Sequence, residues 1–125
     1  MTRENENPIV IYEDADKTVE VQLDADRDTV WLTQRQMAEL FDTSSDNVSL
    51  HLKNIYGDEE LDESATAEES SVVRQEGKRQ VARSIKHYNL DAIISLGYRV
   101  NSRRAVQFRQ WATRTLREHL TRGWT

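Results

Sequence analysis

The sequence predicts an α+β fold, with a small N-terminal antiparallel sheet, a helix-turn-helix of the winged type, a β-hairpin and two C-terminal helices. Apolar and polar residues alternate near the N-terminus, and apolar residues recur every three or four positions in the middle and C-terminal segments. A chain of 125 residues is long enough for one domain with a modest core. We therefore expect a single domain over 1–125, divided into a β-hairpin at 9–32, the helix-turn-helix at 33–56, an acidic loop at 57–71, a basic hairpin at 72–88 and C-terminal helices at 89–122.

The N-terminal sheet is predicted from short strands at 9–13 and 19–23, followed by a third at 29–32. In the second strand Val19, Val21 and Leu23 fall on one face by strict alternation. The turns between the strands are acidic but contain no glycine, which a calcium-binding loop needs at its centre. No metal site is therefore expected there.

The helix-turn-helix is predicted from apolar residues that share one face of each of two short helices. These residues are Met37, Leu40 and Phe41 in the first helix, and Val48, Leu52 and Ile55 in the second. Thr33 or Gln34 can open the first helix, and Thr43, with Asp46 three residues on, can cap the second. Ala38 is small enough to let the helices cross closely, so we expect Ala38, Phe41, Val48, Leu52 and Ile55 to be buried together. An ordinary helical hairpin without a ligand fits the same pattern.

The second half is predicted to contain a basic hairpin and two helices. Strands at 72–75 and 79–87 flank Glu76-Gly77, with Val81 and Ile85 pointing one way and Arg79, Arg83 and Lys86 outward. Such a hairpin suits a DNA-binding wing or a solvated hairpin equally well. Asn89 can cap a helix that ends near Gly97, and Ser102 can cap the last helix. That helix has Ala105, Phe108, Ala112 and Leu116 on its buried face, and Arg103, Arg104, Arg109, Arg114, Arg117 and Arg122 elsewhere. Its helical character continues to the last residues, so we expect the chain to be part of a longer protein.

Charge is divided unevenly along the chain. The formal net charge is −5, but residues 1–73 carry −14 and residues 74–125 carry +9. Such asymmetry indicates a surface for a polyanion or two parts of one domain that attract each other. Arginine outnumbers lysine thirteen to four, and arginine binds phosphate with the better geometry.

Several functional classes lack their usual residues. Cysteine is absent, and His51, His87 and His119 have no partner at zinc spacing. The four glycines are too scattered to cradle a phosphate, and no nucleophile has a nearby base. We therefore expect no enzyme activity, cofactor, metal or small-molecule substrate. No apolar run reaches the roughly 20 residues of a membrane span, and a cytoplasmic protein is the simplest expectation.

Three stretches resemble the RhuM family of bacterial virulence-associated proteins. They are VWLTQRQMAELF, HLKNIYGDEEL and EGKRQVARSIKHYNLDAIISLGYRVNSRRAVQFRQWATRTLREHL, and the resemblance spans about residues 9–123. The tail of the last block more loosely resembles phage antirepressor-type DNA-binding modules. The family resemblance implies a DNA-binding, virulence-associated protein. Family members tend to have basic residues near the positions of Asp46 and Leu50, so an acidic and an apolar residue here depart from that pattern.

The first hypothesis is a regulatory, sequence-specific module that binds double-stranded DNA as a homodimer. Thr33 and Gln34 would contact phosphate, and Ser45, Asn47 and Ser49 would face base edges, with Asn47 suited to adenine. Lys53, Arg79 and Arg83 would hold the DNA backbone. The full set of predicted DNA-binding residues is Thr33, Gln34, Ser44, Ser45, Asn47, Ser49, Lys53, Arg79 and Arg83. The alternative is a protein-interaction or assembly module that reuses the fold, with Leu50 and the acidic face meeting a partner.

Overall fold

The computed structural model describes residues 7–121, which form five strands and five helices. In chain order these are β1 (Ile9–Glu13), β2 (Thr18–Asp24), β3 (Thr29–Thr33), α1 (Gln34–Leu40), α2 (Ser45–Gly57), α3 (Glu63–Thr66), β4 (Ala67–Glu76), β5 (Arg79–Asn89), α4 (Leu90–Val100) and α5 (Ser102–Thr121). The predicted α+β fold class is confirmed. Arg122, predicted at the end of the last helix, lies outside the described residues. None of the described helices is long and apolar enough to cross a membrane.

All five described strands belong to one antiparallel sheet in the order β1-β2-β3-β5-β4. β5 joins β3 through three pairs, Trp31↔Asn89, Leu32↔Tyr88 and Thr33↔His87. The hairpin of β4 and β5 therefore extends the N-terminal sheet and is not a separate unit.

The core lies between one face of the sheet and the helices. Val19, Val21 and Leu23 are buried on that face, as the alternation of β2 predicts. The residues predicted to be buried together in α1 and α2 all belong to the same core cluster: Ala38, Phe41, Val48, Leu52 and Ile55. The predicted buried face of α5 is also confirmed. The ring of Tyr12 of β1 packs edge-on against the rings of Phe108 and Trp111, with centroid separations of 5.3 and 5.2 Å. These contacts fix α5 against the sheet.

The predicted acidic loop at 57–71 is wrong over most of its length. α2 includes Gly57, α3 occupies Glu63–Thr66, and β4 begins at Ala67. The residues from Ala67 to Ser71 pair with Tyr88 to Ser84 of β5. This polar segment becomes a strand because β5 offers it a partner, although its own residues are weak strand formers.

Three predicted helix ends are also corrected. Ser44, not Thr43, caps α2, because its side chain accepts a hydrogen bond from the backbone N–H of Asn47 at 3.0 Å. Asn101, not Ser102, caps α5, with its side chain accepting from the N–H of Arg104 at 3.1 Å. Gly97 does not end α4, because the helix continues to Val100. A Cβ at position 97 would lie 2.6 Å from the ring of Phe41. The absent side chain therefore permits close packing and does not mark the end of the helix.

Candidate nucleic-acid interface

α1 and α2, here called the helical pair, are joined by a tightly bonded turn. Asp42 adopts a left-handed conformation with φ of 58°. The N–H of Thr43 donates to the carbonyl of Ala38 at 2.9 Å, and that of Asp42 donates to the carbonyl of Glu39 at 3.3 Å. This is a Schellman motif, which satisfies the last carbonyls of α1. The next residue, Ser44, caps α2, so the turn fixes the two helices relative to each other.

The predicted phosphate-contacting residues, Thr33 and Gln34, both bond to the protein itself. Thr33 caps α1 in a reciprocal capping box with Gln36, which confirms its predicted position at the helix start. The Gln34 side-chain amide donates to the backbone oxygen of Ser45 at 2.9 Å and to its hydroxyl at 3.3 Å. The N-terminal ends of α1 and α2 therefore lie side by side.

The predicted base-reading residues of α2 differ in their availability. Asn47 is half-buried, and its amide donates to the hydroxyl of Thr43 at 2.9 Å. Ser49 and Lys53 are exposed and have no hydrogen-bond or ion-pair partner among residues 7–121. Asp46 is exposed beside them, and Leu50 leaves 54 % of its surface exposed. The outer face of α2 is thus polar, nearly neutral and partly apolar.

The two strands after α3 form a projecting ribbon. β5 runs antiparallel to β3, and His87 pairs with Thr33, the last residue of β3. The residues of β5 before His87 therefore continue beyond the end of β3, at the edge where α1 begins. β4 accompanies them through eight pairs from Glu69↔Lys86 to Glu76↔Arg79, a length of about 25 Å. We call residues 69–86 the arm, and it leaves the sheet beside the helical pair.

The tip of the arm is a two-residue turn. Gly77 has a φ of 64°, which suits the first central position of a hairpin turn, and Lys78 follows it. The hairpin was therefore predicted at the correct place, although its strands are longer than expected.

The predicted split of the arm's side chains between its faces is wrong. Arg79 and Arg83 share a face with Val81 and Ile85, because side chains alternate with a period of two. Lys86 lies on the opposite face. The sequence already indicated this shared face, since Arg79, Val81, Arg83 and Ile85 are all at odd-numbered positions of one strand.

One of the two predicted arm arginines is already paired. The Arg83 guanidinium donates to both carboxylate oxygens of Glu76, at 3.0 and 2.7 Å, and these bonds raise the pKa of Arg83. Arg79 is exposed and forms no ion pair within the described part of the chain. Sequence analysis missed Glu76 as the partner of Arg83.

The root of the arm is held by buried and charged contacts. His87 is buried, and burial lowers its pKa, although its ring nitrogen Nδ1 lies 3.1 Å from the carbonyl of Ile85. The hydroxyl of Ser70 lies 3.2 Å from the same nitrogen. Lys86 pairs with Glu63 of α3 at 2.8 Å, and this bond raises the pKa of Lys86.

Part of the charge asymmetry is neutralised inside the domain. Arg104 of α5 pairs with Asp14 at 2.5 Å, and Arg99 of α4 pairs with Glu60 at 2.8 Å. The bonds from Arg99 and then Ser95 lower the pKa of Glu60. These pairs join the basic second half to the acidic first half, as one of the two interpretations of the charge distribution expected.

Two hollows of the structure lie apart from the predicted site residues. A groove of about 740 Å³ has Leu61, Leu90, Ile94 and Tyr98 among its lining, and a polar hollow of about 350 Å³ lies beside Arg104. Neither is lined by a residue of the helical pair or the arm. Among the described residues, no group of three or more histidine, aspartate or glutamate side chains is placed to hold a metal ion.

The comparisons with known proteins identify the second half of the chain. The model of the virulence protein RhuM family matches residues 65–125. The matched segment contains the whole arm, α4 and α5, and the helical pair precedes it. No curated protein and no solved structure matches the chain. Residues 65–125 are therefore similar to the virulence protein RhuM family.

Proposed function

We propose that the chain is a regulatory DNA-binding module in which the helical pair, acting as a helix-turn-helix, and the arm, acting as its wing, engage one duplex. The observation that carries this proposal is the placement of the two elements at one edge of the sheet. His87 at the arm root pairs with Thr33, and the next residue, Gln34, bonds to the first turn of α2. A duplex lying along that edge would meet both elements.

The exposed polar residues of α2 supply the base contacts in this proposal. Ser45 and Ser49 are exposed on the first turns of the helix, and serine hydroxyls bond to any base edge. Asn47 would have to release Thr43 before its amide could bind adenine in two places. Ser44 and Gln34 lie where backbone N–H groups at the start of α2 favour a phosphate.

Affinity in this proposal comes mainly from cations outside the first turns of α2. Lys53, Arg79 and Arg83 would contact phosphates, with Arg83 exchanging Glu76 for DNA. The charge of −14 on residues 1–73 opposes association, because a Debye length of about 8 Å screens it only in part. Binding by one chain is therefore weak and salt-sensitive. A two-fold homodimer in the cytoplasm would double the contacts and set a half-site spacing.

Fluorescence anisotropy with a labelled random-sequence duplex, at about 50 and 200 mM salt, tests the proposal. Arg79→Ala should weaken binding to all sequences and flatten the plot of log affinity against log salt by about one unit. Arg83→Ala should also weaken binding, since it removes a cation. Arg109→Ala, an exposed arginine of α5 beside the groove, is the matched control and should bind like the parent.

A specific observation favours a second candidate, a protein-interaction module. Leu50 exposes 54 % of its surface where a DNA-reading helix would favour a polar or basic residue, and Arg83 is neutralised by Glu76. If the Arg79→Ala/Arg83→Ala double variant binds duplex as well as the parent at both salt concentrations, this candidate replaces the first. Sedimentation of the parent and of Leu50→Ser would then show whether Leu50 holds two chains together.

A further inference from the structure

The two faces of the outer arm differ in chemistry. Cross-strand partners share a face, so Val73, Gln75, Gln80 and Ala82 form one surface, here called the uncharged face. The opposite surface contains Glu76, Arg79, Val81 and Arg83. Residues 72–83 contain four basic residues and one acidic residue, so the outer arm has a net charge of +3 although one of its faces is neutral.

The side chains of the uncharged face are available for contact. Val73 leaves 59 % of its surface exposed; Ala82, directly across from it, is exposed, as is Gln80, two residues before Ala82 on β5. The Gln75 amide is occupied, because it donates to the carbonyl of Gly77 at 3.0 Å. The Gln80 amide has no hydrogen-bond partner among residues 7–121. The surface thus presents one free amide next to two aliphatic side chains.

The dimensions of the arm fit the major groove of DNA. Its strands pair only with each other over the eight pairs from Glu69↔Lys86 to Glu76↔Arg79. A two-stranded β-ribbon of this kind enters a groove about 12 Å wide. The glutamates at 68 and 69 lie at the root, so they stay clear of the DNA when the tip enters. The cations nearest the tip are Lys78 and Arg79, which suits an approach to phosphates.

We infer that the arm is itself a base-reading element, with its uncharged face directed at base edges in the major groove. The inference rests on the proposed function, which gave the arm only backbone contacts. Gln80 would bond in two places to adenine N6 and N7, and Val73 and Ala82 would contact thymine methyl groups. The long arginine side chains of the other face reach around the narrow ribbon to the phosphates bordering the groove. The arm therefore selects duplexes with A·T pairs at its contact positions.

Selection of bound sequences from a randomised duplex pool tests the inference. The parent should enrich A·T pairs at a small cluster of positions. Gln80→Ala should lose the adenine preference at one of them, a discrimination of roughly 5- to 150-fold for one two-bond contact. Gln80→Glu should shift the base preference at that position toward cytosine, because a carboxylate accepts a hydrogen bond from the cytosine amino group. Gln110→Ala, an exposed glutamine of α5, is the matched control and should keep the parent's preferences.

The outcomes separate this inference from the proposed function. If the parent binds no duplex at low salt, both fail together. If the parent binds and selects sequences, but Gln80→Ala and Gln80→Glu select the same ones, the arm reads no bases and the proposed function stands without it. Equal melting temperatures of the parent and these variants show that a changed preference reflects the contact and not the fold.

Discussion

The helical pair and the arm lie at the same edge of the sheet but are stabilised in different ways. Val48, Leu52 and Ile55 of α2 are buried, and both ends of the helix are closed by cap or turn bonds. None of the arm's described side chains is buried, whereas His87 and Tyr88, which follow the arm, are buried where β5 enters the sheet. Substitutions in the helical pair therefore act mainly on folding, whereas those in the outer arm change the surface offered to a ligand.

Polar side chains are also used differently in the two regions. In the helical pair Thr33, Gln34, Ser44 and Asn47 all bond to the protein itself. In the outer arm Arg79 and Gln80 remain without a partner within residues 7–121. The comparison indicates that much of the helical pair's polar surface maintains its geometry, and that the arm has more groups free for binding.

The largest expected effect is that of a charge placed between the helices. Val48→Asp puts an unpaired carboxylate into the core, which should lower the free energy of unfolding by several kcal/mol. Ser49→Asp is the matched control, because Ser49 is the next residue and is exposed. It should change stability by no more than about 0.5 kcal/mol. Urea denaturation measures both, and a Val48→Asp protein as stable as the parent would contradict the packing described here.

A smaller effect is expected where α4 meets the end of α1. Gly97→Ala places a Cβ 2.6 Å from the Phe41 ring and 2.8 Å from the Cβ of Ala105, so overpacking should cost about 1–3 kcal/mol. Gly57→Ala is the control, because nothing lies within 4 Å of a Cβ there. That substitution should be neutral or stabilise by up to about 1 kcal/mol, since alanine favours helices. The melting temperature of Gly97→Ala should therefore fall below that of the parent, whereas that of Gly57→Ala should stay the same or rise.

The cap of α2 supplies the next prediction. Ser44→Ala removes the bond to the N–H of Asn47 and should cost about 1 kcal/mol. Thr43→Ala should cost less, because it removes only a bond between two side chains that water can replace. Urea midpoints of the two variants compare them directly. A larger loss of stability in Thr43→Ala than in Ser44→Ala would show that Thr43 is the cap of α2.

Periodicity was enough to predict most of the fold. The strict alternation of β2 and the three- and four-residue spacing in α2 each specify one buried face, and these elements formed where expected. The start of β4 was missed because Glu68 and Glu69 have low strand propensity and depend on β5 for their backbone bonds. Pairing between distant residues leaves no trace in the local sequence of such a segment.

Helix ends and charge pairs were harder to predict. Thr43 and Ser44 are adjacent and both can cap a helix, so composition alone cannot choose between them. The left-handed residues that follow the C-caps of α1 and α2 are Asp42 and Glu59, although glycine or asparagine is the usual residue there. For the candidate site, the sequence identified the cations of the arm but not the Glu76 carboxylate that occupies Arg83. That pairing depends on where two long side chains meet in space.

The last prediction uses pH to act on the arm root. Burial lowers the pKa of His87 below its ordinary value of 6.5, and the contact with the Ile85 carbonyl only partly opposes this. The unfolded chain therefore binds this proton more readily than the folded protein, so stability falls as the pH drops through about 6.5. The urea midpoint of the parent should decrease between pH 7.5 and 5.5, and His87→Gln should remove part of that decrease. If the parent and His87→Gln lost the same stability on acidification, the burial of His87 would contribute nothing to the pH dependence, and the arm root would be held by its strand pairs and the Lys86–Glu63 bridge alone.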